Sequence, residues 1–400
     1  MLRIRAEAPA TRQTRPACAF PGDFFARLYT EGVNPVDIAL VVAGLVLLVL
    51  GGESLVRGAS SFATRLRISP LVIGLVVVSG ATSAPELAVT IGSVLQGEPG
   101  LAVGNAVGTN IANILLILGI SAIISPLLIK RQIVRFDLPV MLGLTIIFVI
   151  VSLDGRLSAL DGGVLLTGLL AHAAISLVLG RREANLQNST PVSLPFGAKP
   201  VPLWLAGVAL LTGIGLLVLG SQFLVNGAVG IASSLGVSGL VLGLTVVALG
   251  TSLPELATAI VALRRGERDM AVGNIVGSNI FNIGMVLGVP AMFFDGGIPI
   301  PAAAIALDMP LMLAAAIALM PIAFTGFVVA RWEGIFFVLL YLAYMLYVVL
   351  AASEHDSAAG FTTVMLWFVL PLVGITLVAL TAYEIGLRRG TTEGRLKKPS

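Results

Sequence analysis

Residues 71–119 read LVIGLVVVSGATSAPELAVTIGSVLQGEPGLAVGNAVGTNIANILLILG, and residues 240–288 read LVLGLTVVALGTSLPELATAIVALRRGERDMAVGNIVGSNIFNIGMVLG. The two stretches align without a gap at an offset of 169 residues. The similarity extends outward, because FDLPVML at 136–142 resembles LDMPLML at 307–313. Similarity at a fixed offset indicates that the chain contains two copies of one structural unit.

The composition indicates a protein embedded in lipid. Of the 400 residues, 57% are hydrophobic and 11% are charged, whereas soluble domains carry about 25% charged residues. A water-soluble fold could not cover so much apolar surface with so few charges. The single cysteine, Cys18, excludes an intrachain disulfide, and His172 and His355 lie too far apart in sequence to suggest a metal pair. We expect neither a nucleic-acid partner nor an obligate protein partner.

Eleven apolar segments are long enough to cross a bilayer as helices, which takes about 20 residues each. We predict spans at 36–52, 70–95, 101–126, 136–153, 160–180, 201–225, 238–263, 270–293, 303–325, 332–352 and 363–386. The polar segment 181–200 is predicted to link a first repeat, 35–180, to a second, 201–352. Residues 353–400 would then hold an extra helix with no counterpart in the first half, followed by a basic tail.

The positive charges predict the orientation of the chain. The connections after spans 1, 3, 5, 7 and 9 and the C-terminal tail hold most of the Lys and Arg, whereas the opposite side holds Arg156 alone. By the positive-inside rule the C-terminus is cytoplasmic and the N-terminus is outside, in a bacterial inner or plasma membrane. Residues 1–34 do not fit, because they carry five arginines and lack the apolar core of a signal peptide. Either translation starts near Val33 or these residues form a disordered tail.

Each copy contains five spans, so the second copy must enter the membrane from the opposite side. The predicted fold class is therefore all-α, with two inverted five-helix repeats in a ten-helix core plus one extra C-terminal helix. Inverted repeats that contain interrupted helices are typical of secondary transporters with alternating access.

Each copy also contains a proline directly before an acidic residue, in ATSAPE at 81–86 and GTSLPE at 250–255. Proline lacks an N–H group and clashes with the carbonyl four residues before it. The freed carbonyls belong to Ala81 and Gly250. In a membrane core they need another partner, which a dehydrated cation can supply.

Side-chain oxygens recur around these prolines at helical spacing. The pairs four residues apart are Thr82 with Glu86, Thr251 with Glu255, Thr109 with Asn113, and Ser278 with Asn282. Calcium takes about 6–8 oxygen ligands, and soft transition metals are disfavoured because sulfur and clustered imidazoles are absent from these motifs. A glutamate within a membrane span is costly and indicates function, and two of them match the charge of one divalent ion.

Other residues of the repeats have simpler interpretations. The glycine pairs Gly104/Gly108 and Gly273/Gly277 match a helix-packing motif. Asn105 and Asn274 either cap broken helices or join the site. Asp137 and Asp308, each two residues before a proline, are expected at the membrane interface, and His172 is expected in the interior.

The motifs SGATSAPE with GNAVGTNIAN, and ALGTSLPE with GNIVGSNIFN, resemble those of the cation/calcium exchanger superfamily, in particular its sodium/calcium exchanger branch. The resemblance covers roughly residues 36–352 and implies ions held by the second, third, seventh and eighth helices. The ligands that it implies are Ser79, Thr82, Ser83, Glu86, Thr109, Asn113, the Ala248 carbonyl, Thr251, Ser252, Glu255, Ser278 and Asn282. Many members have an aspartate at Asn282, so the stoichiometry and any dependence on K⁺ or H⁺ stay open.

The expected function is antiport, in which Na⁺ enters and Ca²⁺ leaves while both compete for the same oxygens. The resemblance adds that the first and sixth helices move across a fixed core. No cofactor is expected besides the transported Ca²⁺ and Na⁺. A proton/calcium exchanger would use the same carboxylates to carry protons. A passive cation channel is a further alternative, which the duplicated broken helices disfavour. An enzyme is disfavoured because no nucleophile with a base, phosphate loop or cofactor fingerprint is visible.

Overall fold

The computed structural model describes residues 34–66, 68–186, 202–234, 248–324 and 327–352. We number its helices in chain order. They are α1 (Pro35–Leu66), α2 (Pro70–Leu95), α3 (Pro99–Ile124), α4 (Ile133–Val151), α5 (Ala159–Leu186), α6 (Leu203–Ser234), α7 (Ala248–Thr251 and Leu253–Arg264), α8 (Arg268–Phe293), α9 (304–324) and α10 (Arg331–Ala352). Four two-residue strands lie between helices: β1 (Leu127–Leu128), β2 (Arg156–Leu157), β3 (Ile298–Pro299) and β4 (Val328–Val329).

Nine helices of the described residues are long and apolar enough to cross a membrane, judged by length and composition. They correspond to predicted spans 1 to 6 and 8 to 10. The segment 235–247 lies outside the described residues, and with it most of the first half of the seventh span. The eleventh span, the N-terminal extension and most of the predicted linker are also outside them.

Three helices, α1, α5 and α6, continue beyond the ends predicted for their spans. The first span was predicted to end before Glu53, but α1 continues to Leu66. This part of α1 buries one face against other helices, including Leu55, Val56 and Ala59. The Arg57 guanidinium also lies 2.7 Å from the Glu53 carboxylate one turn earlier, a spacing that favours helix. Likewise α6 continues to Ser234, beyond the predicted end of the sixth span, and α5 extends to Leu186.

The two sequence copies interlock through their short strands. Strand β1 pairs antiparallel with β4, and β2 pairs antiparallel with β3, so each strand of one copy pairs with a strand of the other. The copies also share an unusual backbone. The π-helical turn Asn113–Ile117 of α3 recurs as Asn282–Leu287 in α8, and Ile133–Asp137 at the start of α4 recurs as Ala304–Asp308 at the start of α9. Such turns are rare and are frequent at functional sites.

Helices α1 and α6 lie side by side in antiparallel contact, and glycines at seven-residue intervals let their backbones meet. Gly44 faces Gly220 and Gly51 faces Gly213. A Cβ atom on Gly51 would lie 2.8 Å from the backbone nitrogen of Leu217, closer than real Cβ contacts allow. Small residues at such interfaces replace the missing hydrophobic driving force in lipid with close packing. We call this unit the α1–α6 pair.

The fold predicts a position-specific cost for adding a single methyl group in the α1–α6 pair. Gly51→Ala forces two backbones apart, and overpacking of this kind costs about 1–3 kcal/mol. Gly215→Ala is the matched control, because no described atom lies within 4 Å of its Cβ position. We expect Gly51→Ala to lower the melting temperature of the detergent-purified protein while Gly215→Ala leaves it unchanged or raises it. Equal melting temperatures would contradict the packing described here.

Candidate cation site

Helices α2 and α7 are each interrupted at the serine before the glutamate motif. The first part of α2 ends at Thr82, Ser83 leaves the helical region with φ −82° and ψ 0°, and a new helix starts at Ala84. The corresponding break in α7 lies at Ser252, with φ −88° and ψ −1°. Pro85 and Pro254 occupy the first turn of the new helices, where proline is tolerated because that N–H has no intrahelical partner. The predicted interruption of both helices is confirmed.

The two glutamates meet where the copies cross. The half-helix Ala84–Leu95, which carries Glu86, packs against the π turn of α8. The half-helix Leu253–Arg264, which carries Glu255, packs against the π turn of α3. Both carboxyl groups are completely buried, and they lie close enough to interact electrostatically. The structure therefore brings the two acids together from opposite halves of the chain.

None of the four carboxyl oxygens of Glu86 and Glu255 has a hydrogen-bond partner of ordinary geometry within the described residues, although the Thr82 hydroxyl lies near the Glu255 carboxylate. Other buried polar atoms around them are also unpartnered in the described part of the chain. They are Ser83 Oγ, Ser252 Oγ, both amide atoms of Asn113, and Asn282 Oδ1. Buried polar groups are nearly always hydrogen-bonded. Unpartnered buried atoms also occur elsewhere in the described residues, for example Ser121 Oγ and Ser152 Oγ, so it is the pair of completely buried, unpartnered acids that marks this place as a candidate ion site.

Further predicted site residues already have partners in the protein. The Ser79 hydroxyl donates to the Gly74 carbonyl at 2.8 Å and is 3.0 Å from the Asn274 carbonyl. Thr82 Oγ1 lies 3.4 Å from Ser278 Oγ. These contacts join the break in α2 to α8, which makes the site a joint product of both copies.

The remaining predicted ligands are placed less specifically. Thr109 is buried on α3, and Thr251 is half-buried at the last residue before the α7 break. Ala248 begins α7, and the structure describes its backbone but not its side chain.

The freed carbonyl of the second copy has a partner within the protein. The Gly250 carbonyl accepts a short hydrogen bond from the Ser221 hydroxyl of α6, a partner that the sequence did not indicate. In the first copy the Ser83 N–H donates to the Ser79 carbonyl at 2.9 Å. Ser221 was missed because it lies on a different helix, and only tertiary packing brings it to the break. The repeat does not predict this contact either, because the residue equivalent to Ser221 is Gly52, which has no hydroxyl group.

Two asparagines are closer to the site than the sequence indicated. Asn274, for which a helix cap was one interpretation, bridges α8 to α2: its carbonyl lies 3.0 Å from the Ser79 hydroxyl and its Oδ1 lies 3.4 Å from the Thr82 hydroxyl. Asn110 was quoted within a motif but given no role, yet its Oδ1 accepts from Asn282 Nδ2 at 3.1 Å. The only sequence signal for Asn110 is its repetition as Asn279.

Asp137, expected at the membrane interface, is packed inside the protein. It is completely buried, and its Oδ1 lies 2.9 Å from His172 Nε2 and 3.2 Å from the Ser176 hydroxyl. His172 is an interior residue as predicted. Asp308, the repeat equivalent, accepts from the Tyr344 hydroxyl at 3.1 Å. Each of these acids has a partner on the neighbouring helix through its Oδ1, although Asp137 Oδ2 has none in the described residues. That partner distinguishes them from Glu86 and Glu255, whose four carboxyl oxygens all lack one.

The glycines of the packing motif in α8 contact α2, as predicted. Gly273 faces the Leu71 carbonyl and Gly277 faces the Leu75 carbonyl. The residues equivalent to these partners in the second copy, 240 and 244, lie outside the described residues, so the roles of Gly104 and Gly108 remain predictions.

Comparison with known proteins supports the same architecture. The sequence pattern of the family described as "Sodium/calcium exchanger protein" matches residues 36–178 and 205–350. The chain belongs to the sodium/calcium exchanger family. This family consists of membrane exchangers that transport cations, not of enzymes, and the exchanger is accordingly an integral membrane protein.

Individual relatives are similar to the exchanger over most of their length. The "Inner membrane protein YrbG" of Escherichia coli is 42% identical over 268 residues, which is 65% of this chain and 81% of the relative. The "Sodium/calcium exchanger MaX1" of Methanosarcina acetivorans is 30% identical over 348 residues, 78% of this chain and 97% of the relative. The solved sodium-calcium exchanger NCX_Mj, soaked with Na⁺ and Sr²⁺, is 31% identical, with a TM-score of 0.65 over 77% of this chain and 96% of that one.

The Ser221 contact yields a stability prediction for the exchanger. Ser221→Ala leaves the Gly250 carbonyl at the α7 break without the hydroxyl that it now accepts from, and an orphaned buried acceptor costs about 1–3 kcal/mol. Ser54→Ala is the matched control, because its hydroxyl donates at 2.8 Å to Ala209, a carbonyl inside the regular helix α6. We expect the larger loss of thermal stability for Ser221→Ala. A larger loss for Ser54→Ala would argue against this role.

Proposed function

We propose that this exchanger moves Ca²⁺ out of the cell in exchange for Na⁺, and that Glu86 and Glu255 are the ligands shared by both ions. The observation that carries the proposal is the pair of fully buried carboxyl groups with no hydrogen-bond partner among the described residues. A carboxylate in a membrane interior is costly unless something compensates its charge. The described part of the chain places no cationic side chain against either acid, so a bound cation is the compensation that fits.

The chemistry of the surrounding atoms favours hard cations. The unpartnered atoms nearby include hydroxyl and amide oxygens, from Ser83, Ser252, Asn113 and Asn282. With the four carboxyl oxygens they approach the 6–8 oxygens that Ca²⁺ takes. Two ionised glutamates and one Ca²⁺ are electrically neutral together. Na⁺ binds the same type of oxygen, so occupation of the site by either ion would exclude the other, which is what antiport requires.

The α1–α6 pair is the element that we propose to move. It packs against α7 and the first half of α2, and its polar contacts with them include Ser221 with Gly250 and an ion pair between Glu53 and Arg265. Its own interface is close-packed glycine against backbone, so the pair can shift as one body. A shift relative to the broken helices α2 and α7 would expose the buried glutamates to one side of the membrane at a time.

The first test replaces each acid with its neutral isostere. Glu86→Gln and Glu255→Gln keep the volume and remove one of the two charges, so Ca²⁺ binding loses most of its electrostatic stabilisation. We expect either variant to abolish Na⁺-driven Ca²⁺ uptake into proteoliposomes. The pH is clamped with ionophores, so that the Na⁺ gradient is the driving force for Ca²⁺ uptake. Uptake that requires a proton gradient instead would identify a proton/calcium exchanger. A channel would be identified by the absence of trans-stimulation.

A matched control for these variants is Glu98→Gln, since Glu98 lies at the start of α3 and outside the site. It should transport as the wild type does. If both site variants also exchange Ca²⁺ normally, the assignment of Glu86 and Glu255 is wrong.

A second prediction concerns Asn282. Asn282→Asp adds a titratable group at a position that has no charge here. We expect the variant to differ from the wild type in how transport depends on pH or on Na⁺ concentration, because the new carboxyl group can bind a proton or a cation. The measurement is initial Ca²⁺ uptake at each pH with a constant Na⁺ gradient. Superimposable profiles for variant and wild type would show that Asn282 does not contact the ions.

A further inference from the structure

Three asparagines form a chain of contacts between α3 and α8. Asn282 Nδ2 donates to Asn110 Oδ1 at 3.1 Å. On its other side, Asn110 Nδ2 is 3.5 Å from the Asn279 backbone carbonyl and 3.6 Å from Met312 Sδ. All three asparagines are buried. This series of contacts therefore ends at a backbone carbonyl, whose position is fixed by the helix that contains it.

That carbonyl determines which way the two amides face. A backbone carbonyl can only accept a hydrogen bond, and so can the thioether sulfur of Met312, so the side of Asn110 that faces them must be Nδ2. Its Oδ1 then faces Asn282 and requires a donor there. Asn282 must present its Nδ2 to Asn110, which leaves its Oδ1 directed elsewhere. That Oδ1 is one of the buried atoms without a partner in the described residues.

The equivalent position in the other copy lacks this arrangement. Asn279 is the repeat equivalent of Asn110, but its Nδ2 donates at 2.8 Å to the Ile275 carbonyl one turn earlier on its own helix. Asn113 is the equivalent of Asn282, and neither of its amide atoms has a partner in the described part of the chain. One amide of the candidate site is thus held in a fixed orientation by the protein, and the other is not.

We propose that Asn110 is a positioning residue that holds the amide of Asn282 with its carbonyl oxygen toward the transported cation. The inference rests on the proposed function, because it takes the cation to be the ligand of Asn282. Fixing the amide before the ion arrives removes the cost of orienting it on binding. Asn110 itself donates nothing to the ion, since both ends of its amide are engaged with the protein.

The same geometry makes position 282 specific for a neutral amide. An ionised aspartate at this position would place an acceptor against Asn110 Oδ1, which is also an acceptor. Asn110 cannot turn over to relieve the repulsion, because its Oδ1 would then face the Asn279 carbonyl. The protein therefore favours a side chain that donates on one side and accepts on the other, and asparagine does both without a proton that could be lost.

The test is a double-mutant cycle between Asn110 and Asn282. The variants are Asn110→Leu, Asn282→Leu and the two combined, with Asn279→Leu as the matched control. For each, we would measure the Kd of purified protein for Ca²⁺ by calorimetry and the KM and maximal rate of Na⁺-driven Ca²⁺ uptake. Thermal melting reports folding. Asn110→Ser, which is too short to reach Asn282, replaces Asn110→Leu if the latter does not fold.

We expect Asn110→Leu to raise the Kd and KM for Ca²⁺ about tenfold, the effect of one lost hydrogen bond of about 1.4 kcal/mol. In the Asn282→Leu background it should add no further loss, because Asn110 acts only through Asn282. Asn279→Leu should leave the Kd within about twofold of the wild type, since its hydrogen bond is confined to its own helix.

Two results would overturn the proposal: an unchanged Kd in folded Asn110→Leu, or losses that multiply in the double variant as expected for a purely structural role. Failure of the proposed function looks different. Wild-type protein that binds Ca²⁺ but does not exchange it for Na⁺ refutes Na⁺/Ca²⁺ exchange, while the Kd comparison still decides the role of Asn110. Absence of Ca²⁺ binding by the wild type would refute both.

Discussion

The structure depends on the meeting of two acidic side chains in a place where the described residues offer them no hydrogen-bond partner of ordinary geometry. Glu86 and Glu255 are completely buried, lie within electrostatic range of each other and have no hydrogen bond of ordinary geometry in the described residues. Asp137 and Asp308 show the alternative, because each accepts a hydrogen bond from the neighbouring helix. Asp137 and Asp308 each have a hydrogen-bond partner in the protein and need none from outside. The pair of acids without such a partner is the candidate site for a cation.

The two-copy architecture explains how such a pair can be assembled. Each half-helix with a glutamate packs against the π turn of the other copy, and the short strands also pair between copies. Neither copy can form the site alone. The prolines serve this arrangement by starting new helices in mid-membrane, with Ser83 and Ser252 at the breaks. The irregular backbone that results is tolerated in lipid only where protein or an ion-binding cavity surrounds it.

The symmetry is incomplete in ways that matter for function. Ser221 of α6 donates to the break in α7, but its equivalent Gly52 has no hydroxyl to donate to the break in α2. Asn110 engages Asn282 in the other copy, whereas Asn279 bonds to its own helix and leaves Asn113 unengaged. One half of the candidate site is therefore held by the protein more firmly than the other.

Much of this was determined by the sequence alone. The composition, the repeat at an offset of 169 residues and the two proline–glutamate motifs were enough to predict a helical membrane protein with interrupted helices and a pair of acids. Those features are local or periodic in the sequence, so they can be recognised without knowing which helices are neighbours. Other features depended on tertiary structure. They are the lengths of α1 and α6, the contact of buried Asp137 with His172, the hydrogen bond from Ser221 to the Gly250 carbonyl, and the orientation of Asn282 by Asn110. In all but the helix lengths, the deciding partner lies on another helix, and helix spacing within one segment carries no information about which atoms a neighbouring helix presents.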